Sequence, residues 1–509
     1  MQLEISQAAA EIGERCGFRQ IAGQRIRVAA WISLIRIRKP AGRRRNAHRC
    51  APRRVRPSLQ EQRSDTLEHA IPTRLSELHV SVPSGSLRWF ANHPDRMQVV
   101  NQSATEAEFR LENRAAIPDE SDAPPFTSMA ALVREEFLKG RESLVIAGTH
   151  GKTTTTSMLS WIYQVAAREN SALEPSFLIG GVAENFGTSF QLRPTHTFII
   201  EGDEYDTAFF DKGPKFLHYF PDALILTHVE FDHADIYADL EAVKTAFKRL
   251  VNLVPGRGLL VAYDASANVT ECISRAFCRV ERYGFTTDAN WQMRNLRHVD
   301  GRSQWELWHD GALWADLEMH LAGEHNALNA TAAAALAAGQ GISKESIRSA
   351  LATFKSVKRR LEVRDVIDGI TIIDDFAHHP TAIRETLRAL RSVYPQSRIW
   401  AVLEPRSNTL RRKVLETELV DSLRIADHVV LAGVYQQQRI PDAERLHPED
   451  VVKSLIAAGT PAELHTNADA IIDSVVPQLH SGDVVAILSN GGFEGIYEKL
   501  PARLKARQI

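Results

Sequence analysis

The chain has few of the features that mark secreted, membrane or disulfide-rich proteins. Its 509 residues include only four cysteines, Cys16, Cys50, Cys272 and Cys278, whose spacing matches neither a disulfide framework nor a zinc motif. No apolar run approaches the ~20 residues of a membrane helix, and the first residues lack the basic and apolar segments of a secretory signal. We therefore expect a cytoplasmic protein with ordinary thiols and no membrane partner.

A large net charge is also lacking. The formal net charge is −2, which argues against a globally basic nucleic-acid-binding protein. The charge is nevertheless uneven, because residues 1–60 carry 13 Arg and one Lys against three Glu. This segment has no helical or strand period and no aromatic positions for base stacking, so no nucleic-acid partner is expected. We interpret residues 1–122 as an atypical Arg-rich leader that is degenerate or poorly ordered.

From about residue 123 the pattern becomes that of an α/β protein, and the length of the chain predicts two to three domains. Short β-rich runs alternate with turn signals and helical patterns, which predicts a mostly parallel, buried sheet. The runs are residues 143–148, 195–203, 222–228 and 258–263. An Ala-rich stretch, residues 326–341, predicts a long helix that stops at glycine.

The alternation of strands and helices restarts after Arg360. A strand ending in DDFAHHP is followed by a predicted helix from about Thr381 to Ser392, and three more apolar strands follow. Because this second run has its own strands and helices, we place a domain boundary between segments 123–361 and 362–509.

The strongest local signal is the stretch AGTHGKTTTT, which follows an apolar strand and precedes a helical pattern. Its two glycines allow the backbone to curl with amide hydrogens pointing inward, and the helix directs its positive end to the same point. The lysine adds a charge for the β- and γ-phosphates, and a threonine hydroxyl can reach magnesium. The sequence therefore predicts a loop that binds the phosphates of a nucleotide, the phosphate loop, made of Gly148, Thr149, His150, Gly151, Lys152, Thr153 and Thr154.

Carboxylates and imidazoles follow two of the predicted strands. The first strand ends at Glu201, with further acidic residues close behind, and the second is followed by a segment that ends in Asp232 and His233. Metal ligands of a nucleotide site are expected at such strand ends. Magnesium prefers oxygen ligands, so the chemistry alone does not select a histidine. The full set is Glu201, Asp203, Glu204, Asp206, His228, Glu230, Asp232 and His233.

The order of these motifs resembles that of the Mur ligases, the ATP-dependent amide-forming enzymes of peptidoglycan synthesis. The motifs include AGTHGKTTTTSM, EGDEYDTAFFDK, VEFDHADIY, GEHNALNA, RRLEVR, DDFAHHPTAI and EPRSNT, and the resemblance covers roughly residues 123–505. It implies an N-terminal domain for a UDP-sugar, a central P-loop-type ATPase domain at residues 123–361, and a Rossmann-like C-terminal domain at residues 362–509.

The resemblance also implies the substrates. The motif sequences are most similar to those of family members that join L-alanyl-γ-D-glutamyl-meso-diaminopimelate to UDP-N-acetylmuramate, with ATP and magnesium as cofactors. Members that add L-alanine to UDP-N-acetylmuramate are the nearest alternative, and folylpolyglutamate synthetases are a more distant one. Two other classes stay open, a nucleotide-binding relative without ligase activity and an RNA-binding protein that uses the basic leader. A monomer is expected.

Site residues follow from the resemblance by position. It implies that Lys152, His233 and His378 are catalytic, and that Thr153, Glu201 and His233 hold magnesium. Nucleotide contacts outside the loop are implied for Asn326, Asn329, Arg360 and Asp375. Substrate contacts are implied for Arg406, Ser407, Asn408, Asn490 and Gly491.

Several of these residues have an alternative interpretation as structural residues. Asn326 is a suitable N-cap for the Ala-rich helix, and Asn329 could serve its first turn. Asp375 and His378 could form a turn before Pro380. Loops around Arg406 and Asn490 could be plain strand-to-helix connections, although a strand end facing a cleft favours a substrate role.

The N-terminal part departs from the family pattern. A UDP-binding domain should open with an apolar strand, a glycine-rich turn and a helix, and residues 1–122 contain no such sequence. We interpret this leader as a shifted reading frame or a replaced segment, which would put UDP-sugar binding in question.

Overall fold

The computed structural model describes residues 127–299 and 301–507. The predicted leader at residues 1–122 lies outside the described residues. The described chain divides into a small unit, residues 127–139 and 206–213, and a large unit, residues 140–205 and 214–507. Within the described ranges, the structure contains no helix that combines the length and the apolar character needed to cross a membrane.

Twelve strands precede residue 320 in the described part of the chain, and helices separate some of them. The strands are β1 (Glu142–Ala147), β2 (Ser176–Ala183), β3 (Thr188–Gln191), β4 (Thr197–Gly202), β5 (Asp206–Ala208), β6 (Asp211–Pro214), β7 (Ala223–Leu226), β8 (Leu259–Tyr263), β9 (Arg279–Gly284), β10 (Trp291–Val299), β11 (Arg302–His309) and β12 (Ala312–Met319). The helices in this part are α1 (Met129–Val133), α2 (Lys152–Ala166), α3 (Leu240–Val251), α4 (Ala267–Ile273), α5 (Glu324–Gly339) and α6 (Lys344–Ala352).

The small unit contains α1 and the two-stranded sheet of β5 and β6. Ser128 caps α1, because its hydroxyl oxygen accepts a hydrogen bond from the Ala131 amide at 3.0 Å. A π-helical turn, Arg134–Leu138, follows directly.

A ten-stranded sheet forms the first half of the large unit, in the order β12-β11-β10-β9-β8-β7-β1-β4-β2-β3. Strands β10, β9, β8, β7, β1, β4 and β2 run parallel to their neighbours, and antiparallel strands close both edges. Parallel strands place their carboxyl ends at one edge of a sheet, so the segments after β1, β4 and β7 meet there.

The Ala-rich helix α5 packs against α2 and is buried along most of its length. Its methyl side chains allow two helix backbones to approach closely, so the helix that follows the phosphate loop is held in the core. The predicted helix at residues 326–341 is thus confirmed, with its start two residues earlier and its end at Gly339.

A second, six-stranded sheet follows, in the order β13-β14-β18-β15-β16-β17. Its strands are β13 (Glu362–Ile367), β14 (Ile370–Asp375), β15 (Ile399–Leu403), β16 (His428–Ala432), β17 (Ala462–His465) and β18 (Val484–Leu488). Its helices are α7 (Pro380–Val393), α8 (Glu416–Leu423), α9 (Pro448–Ala457), α10 (Ala468–Val475) and α11 (Ile496–Ala506). All pairs are parallel except β13 with β14.

The predicted fold class is confirmed for the described residues. Two mostly parallel sheets with flanking helices are present, and the four runs predicted as strands up to residue 263 end within two residues of the bounds of β1, β4, β7 and β8. The predicted boundary between segments 123–361 and 362–509 falls just before β13, the first strand of the second sheet. It stays a prediction, because the contacts group both sheets into one large unit.

Candidate nucleotide and metal site

The predicted phosphate loop connects β1 to α2, and its two glycines have backbone conformations that side chains disfavour. Gly148 has φ 130° and Gly151 has φ 82°. A Cβ atom on Gly148 would overlap the Thr227 hydroxyl and lie 2.9 Å from the His228 backbone, and one on Gly151 would overlap the Asn329 amide oxygen. Both positions therefore require glycine.

The segment after β7 anchors the loop. The Thr149 amide donates to the His228 carbonyl at 2.8 Å, and the Glu230 amide donates to the Thr149 hydroxyl at 2.9 Å. The Thr227 hydroxyl donates to the His150 carbonyl at 2.5 Å. These bonds hold the curl of the loop in place before any ligand binds.

Lys152 is a buried cation at the start of α2. Its ammonium group donates to the Gly148 carbonyl at 2.8 Å and forms an ion pair with Glu204 at 2.7 Å. Burial alone would lower the pKa of Lys152, but the carboxylates of Glu204 and Asp203 outweigh burial and raise it. The group therefore carries a full positive charge beside the loop.

Asp203, Glu204 and His233 form an acidic cluster next to this lysine, and their ligand atoms lie within 4.8 Å of one another. His233 Nε2 lies 3.2 Å from Glu204. Burial would lower the pKa of His233, but the hydrogen bond to Glu204 and the charge of Asp232 raise it to about 9. Burial likewise opposes ionisation of Asp203, yet Lys215, at 2.6 Å, and Lys152 hold its pKa below the ordinary value.

Glu201 occupies a different position in the same region. Its carboxylate accepts hydrogen bonds from the Thr153 hydroxyl at 3.1 Å and from the Gly180 amide at 2.7 Å. Burial is the largest influence on the pKa of Glu201, which is raised. The carboxylate that contacts His233 is that of Glu204, which sequence reasoning placed near the site but did not select as a ligand.

The two asparagines of GEHNALNA have unequal positions. The Asn329 side chain lies against Gly151, which brings it to the phosphate loop. Asn326 is the third residue of α5, and its amide donates to the Ala322 carbonyl at 2.7 Å. The alternative that Asn326 is the N-cap is wrong, because Gly323 holds that position.

The Asp375 carboxylate is hydrogen-bonded to neighbouring groups of the protein. Its carboxylate accepts from the amides of Leu361 at 2.7 Å and Ala377 at 2.8 Å, and from the Thr386 hydroxyl at 3.1 Å. These bonds favour the structural interpretation of Asp375. The guanidinium of Arg360 lies 5.0 Å from the centre of the Phe376 ring.

His378 is half-buried in the same segment. Its Nδ1 atom pairs with the Phe376 carbonyl at 2.8 Å, and burial lowers the pKa of His378 to about 4. The imidazole is therefore neutral at neutral pH. Since a carbonyl only accepts, Nδ1 carries the proton and Nε2 carries the lone pair.

The predicted substrate residues lie in the loops that follow β15 and β18. Arg406 forms an ion pair with Glu404 at 3.2 Å and lies beside Gly491, where an added Cβ would overlap its guanidinium. The Ser407 hydroxyl donates to the His378 carbonyl at 3.2 Å, and Asn408 donates to Asp235 at 2.7 Å. The buried side-chain oxygen of Asn490 has no hydrogen-bond partner among the described residues.

His379 is a residue that sequence reasoning missed. It is the N-cap of α7, and it lies against Glu230 and His150 of the phosphate loop. The available signal was the second histidine of the HHP motif, which directly precedes a proline at the first position of a helix. Local sequence could not indicate that this cap lies against His150 of the phosphate loop.

A half-buried histidine in the first turn of α5, His325, contributes to the sensitivity of the fold to acid. Burial lowers the pKa of His325 from 6.5 to about 4. The unfolded chain therefore binds the proton more readily, so stability is lost as the pH falls from about 6.5 to about 4. We expect His325→Gln to reduce this loss by up to about 3 kcal/mol.

The midpoint of thermal unfolding at pH 7 and at pH 4.5 measures this effect. His309→Gln is the matched control, because His309 stacks on Trp291 elsewhere in the protein. An equal drop in midpoint for the wild-type protein and His325→Gln would contradict the expectation.

Comparisons with known proteins agree with the geometry. The family model of the Mur ligase middle domain matches residues 146–337, and that of the Mur ligase glutamate ligase domain matches residues 359–491. The UDP-N-acetylmuramate–L-alanyl-γ-D-glutamyl-meso-2,6-diaminoheptandioate ligase of Escherichia coli strain K12 is 40% identical over 377 residues, 74% of this chain and 79% of that protein.

Two further similarities are informative. A UDP-N-acetylmuramate–L-alanine ligase of Acidothermus cellulolyticus is 34% identical over 384 residues, 74% of this chain and 76% of that protein. The crystal structure of a murein peptide ligase from Psychrobacter arcticus 273-4 matches with a TM-score of 0.58 and 30% identity, covering 80% of this chain and 84% of that one.

The chain belongs to the Mur ligase family and is an ATP-dependent ligase that forms amide bonds. Within the family, it is similar in particular to the murein peptide ligases, in both sequence and structure.

Proposed function

We propose that this chain joins the tripeptide L-alanyl-γ-D-glutamyl-meso-diaminopimelate to UDP-N-acetylmuramate. The observation that carries the proposal is the buried Lys152 and Glu204 pair at the phosphate loop, in a chain 40% identical to an enzyme named for this reaction. Such a ligase serves peptidoglycan synthesis. We further propose that it acts as a monomer in the cytoplasm.

The chemistry explains why the reaction requires a phosphate loop. A carboxylate is a poor acyl donor, because its oxide leaving group is too basic. Transfer of the γ-phosphoryl group of ATP to the lactyl carboxylate of UDP-N-acetylmuramate forms an acyl phosphate and ADP. The tripeptide amine then attacks the carbonyl carbon, the C–O bond to phosphate breaks, and the amine loses a proton. The products are the amide and inorganic phosphate.

Lys152 and the loop have a positioning and electrostatic role in the first step. The amides around Gly151 and the N-terminus of α2 bind phosphate oxygens, and the Lys152 ammonium stabilises the charge that develops on the transferred group. In this proposal the phosphate takes the place of Glu204 as the partner of Lys152. The Asn329 side chain, which lies against Gly151, is then adjacent to the nucleotide.

The residues beside the loop fit a magnesium ion. Asp203, Glu204 and the Thr153 hydroxyl offer the oxygen donors that this ion prefers. We propose that Glu204 and His233 hold the ion, together with Thr153 and Glu201 as the family resemblance implies. Bound there, magnesium would neutralise charge on the phosphates. His233, whose pKa is about 9, must lose its proton to become a ligand.

The segment between β14 and α7 supplies a base. The neutral His378 has an available lone pair on Nε2, and Asp232 is close enough to influence the pKa of His378. We propose that His378 accepts the proton of the attacking amine. A pKa of about 4 makes it a weak base, and the protonated amine is itself a strong enough acid for this transfer once the new bond forms.

The second sheet supplies residues for the tripeptide. Arg406 offers a guanidinium for a peptide carboxylate, and the unpartnered oxygen of Asn490 offers an acceptor for a peptide N–H or ammonium group. Ser407, Asn408 and Gly491 complete this proposed substrate region. In this assignment, residues 123–361 form the ATPase domain and residues 362–509 the domain that holds the tripeptide.

A phosphate-release assay tests the proposed function. The full-length protein is incubated with ATP, magnesium and UDP-N-acetylmuramate, and either the tripeptide or L-alanine is added. We expect the tripeptide to accelerate phosphate release and to yield the amide product. Bound ATP without release that depends on an amine would contradict ligase activity and favour a nucleotide-binding relative.

Addition of L-alanine to UDP-N-acetylmuramate is the second candidate. It is favoured by the 34% identity to an enzyme named for that reaction, over a similar share of the chain. Acceleration by L-alanine and not by the tripeptide would replace the first proposal with this one.

The carboxylates of Glu201 and Glu204 have separable roles, which a pair of matched variants distinguishes. Glu204→Gln removes the carboxylate that contacts both Lys152 and His233. We expect it to raise the magnesium concentration for half-maximal activity by at least about 10-fold. Glu201→Gln should raise this concentration less, because Glu201 acts through the Thr153 hydroxyl. A larger effect for Glu201→Gln would assign the metal to Glu201.

A further inference from the structure

A second group of possible metal ligands includes a residue of the phosphate loop. The group consists of His150, Glu230 and His379, and we call it the histidine–glutamate cluster. Its ligand atoms lie within 4.8 Å of one another. His150 Nε2 lies 3.1 Å from Glu230 Oε2, and His379 Nδ1 lies 3.7 Å from the same oxygen. Three separate segments of the chain therefore converge on one carboxylate oxygen.

His379 makes one hydrogen bond of the kind that orients metal-ligating histidines. Its Nε2 atom pairs with the Phe231 carbonyl at 3.2 Å, so Nε2 carries the proton and Nδ1 the lone pair. That lone pair lies 3.7 Å from Glu230 and accepts from the Thr381 amide at 3.3 Å as the cap of α7, a bond that a metal ion would replace. Ligating histidines characteristically donate their other ring N–H to a carbonyl or carboxylate in this way. The Thr381 hydroxyl also donates to Glu230 Oε2 at 2.7 Å, which orients the carboxylate.

The charge states of the cluster suit a cation. Burial lowers the pKa of His150 to about 4, with a further contribution from the neighbouring His379, so this imidazole is neutral at neutral pH. Burial opposes ionisation of Glu230, but the hydrogen bonds from His150 and Thr381 hold its pKa below the ordinary value. Neutral imidazole and ionised carboxylate are the forms that bind metals.

We propose that the histidine–glutamate cluster binds Zn²⁺, at a site separate from the acidic cluster of Asp203, Glu204 and His233. Two imidazoles and one carboxylate are a donor set that suits zinc, whereas magnesium prefers an all-oxygen environment. The three protein ligands leave a fourth position open. Because His150 belongs to the phosphate loop and His379 caps α7, a bound ion ties the loop to the segment that carries His378.

Zinc binding to the full-length protein tests the proposal without reference to catalysis. The protein is treated with a chelator, placed in excess magnesium to occupy oxygen-rich sites, and titrated with Zn²⁺ against a chromophoric chelator. We expect one tight equivalent in the wild-type protein. His379→Gln should weaken it by at least about 100-fold, and Thr381→Val, which removes only the orienting hydroxyl, by about 10-fold.

Control variants separate the two clusters. His309→Gln makes the same chemical change at a histidine that stacks on Trp291, and His233→Gln alters the acidic cluster; both should keep the tight equivalent. Co²⁺ should give the intense visible absorption of a four-coordinate site in the wild-type protein, and this absorption should be lost in His379→Gln. Should His379→Gln fail to fold, the Thr381→Val titration decides.

Three results would overturn the proposal. They are the absence of a tight equivalent in the wild-type protein, unchanged affinity in His379→Gln or Thr381→Val, and loss of the equivalent in His233→Gln alone. The first would mean that the cluster is a hydrogen-bonded contact between the loop and α7. Because binding is measured without substrates, failure here leaves the proposed ligase activity unaffected, and failure of that activity leaves the zinc titration unaffected.

Discussion

Lys152→Ala is expected to abolish amine-dependent phosphate release, with a rate loss of at least about 10³-fold. The ammonium group is the buried positive charge at the mouth of the phosphate loop, and water or a more distant cation cannot take its place during phosphoryl transfer. The fold should persist, because Glu204 keeps its contact with the cationic His233. Steady-state phosphate release, with circular dichroism as the check on folding, measures both effects.

Two further variants make this experiment specific. Lys152→Met keeps most of the side-chain length and should lose as much activity as Lys152→Ala, because the charge is what matters. Lys248→Ala removes an exposed lysine that pairs with Glu271 on the protein surface and should leave the rate unchanged. Undiminished turnover in Lys152→Ala would refute the assignment of the loop.

Gly148→Ala is expected to be the most damaging conservative change in the loop. A Cβ at this position would overlap the Thr227 hydroxyl and press on the His228 backbone, and the residue has φ 130°. Both the conformational strain and the clash oppose the native curl, so we expect a loss of about 2–4 kcal/mol in the free energy of unfolding. Nucleotide affinity should fall with it, because the loop amides move.

Gly341→Ala is the matched control for this change. Gly341 also has a positive φ, 83°, but an added Cβ would meet no atom of the described residues within 4 Å. It therefore incurs the conformational cost alone, about 1–2 kcal/mol. Chemical denaturation and calorimetric titration with ATP compare the two variants. Equal destabilisation, with unchanged ATP affinity in Gly148→Ala, would show that the clash is unimportant.

Eight strands of the two sheets could be predicted from the sequence, because buried parallel strands are short, apolar and rich in branched residues; they are β1, β4, β7, β8, β14, β15, β16 and β18. The remaining strands, among them the antiparallel β3, β11 and β12, were not predicted. The helix α5 could be predicted because a run of alanines has a high helix propensity and ends at glycine. The phosphate loop could be predicted equally well, since its glycines, lysine and threonines are close together in the sequence. The leader at residues 1–122 lies outside the described residues, so its interpretation as a shifted frame or replaced segment stays a prediction.

The candidate site could be predicted only in part, for a physical reason. Glu201 is the last but one residue of β4 and Glu204 comes three residues later, and nothing local indicates which one turns towards His233. The structure shows that Glu204 makes this contact, whereas Glu201 accepts from Thr153 and Gly180. The two asparagines of α5 were similarly indistinguishable, although only Asn329 lies against Gly151.

The sequence by itself determined the α/β class, the position of the phosphate loop and the family resemblance, because each depends on residues that are neighbours in the chain. Only the tertiary structure decided which carboxylate accompanies His233, that Asp375 is bound to backbone amides, and that His379 meets His150 and Glu230. These contacts join segments up to 229 residues apart, from position 150 to position 379. Their geometry depends on strand order and helix packing, which no local pattern of residues encodes.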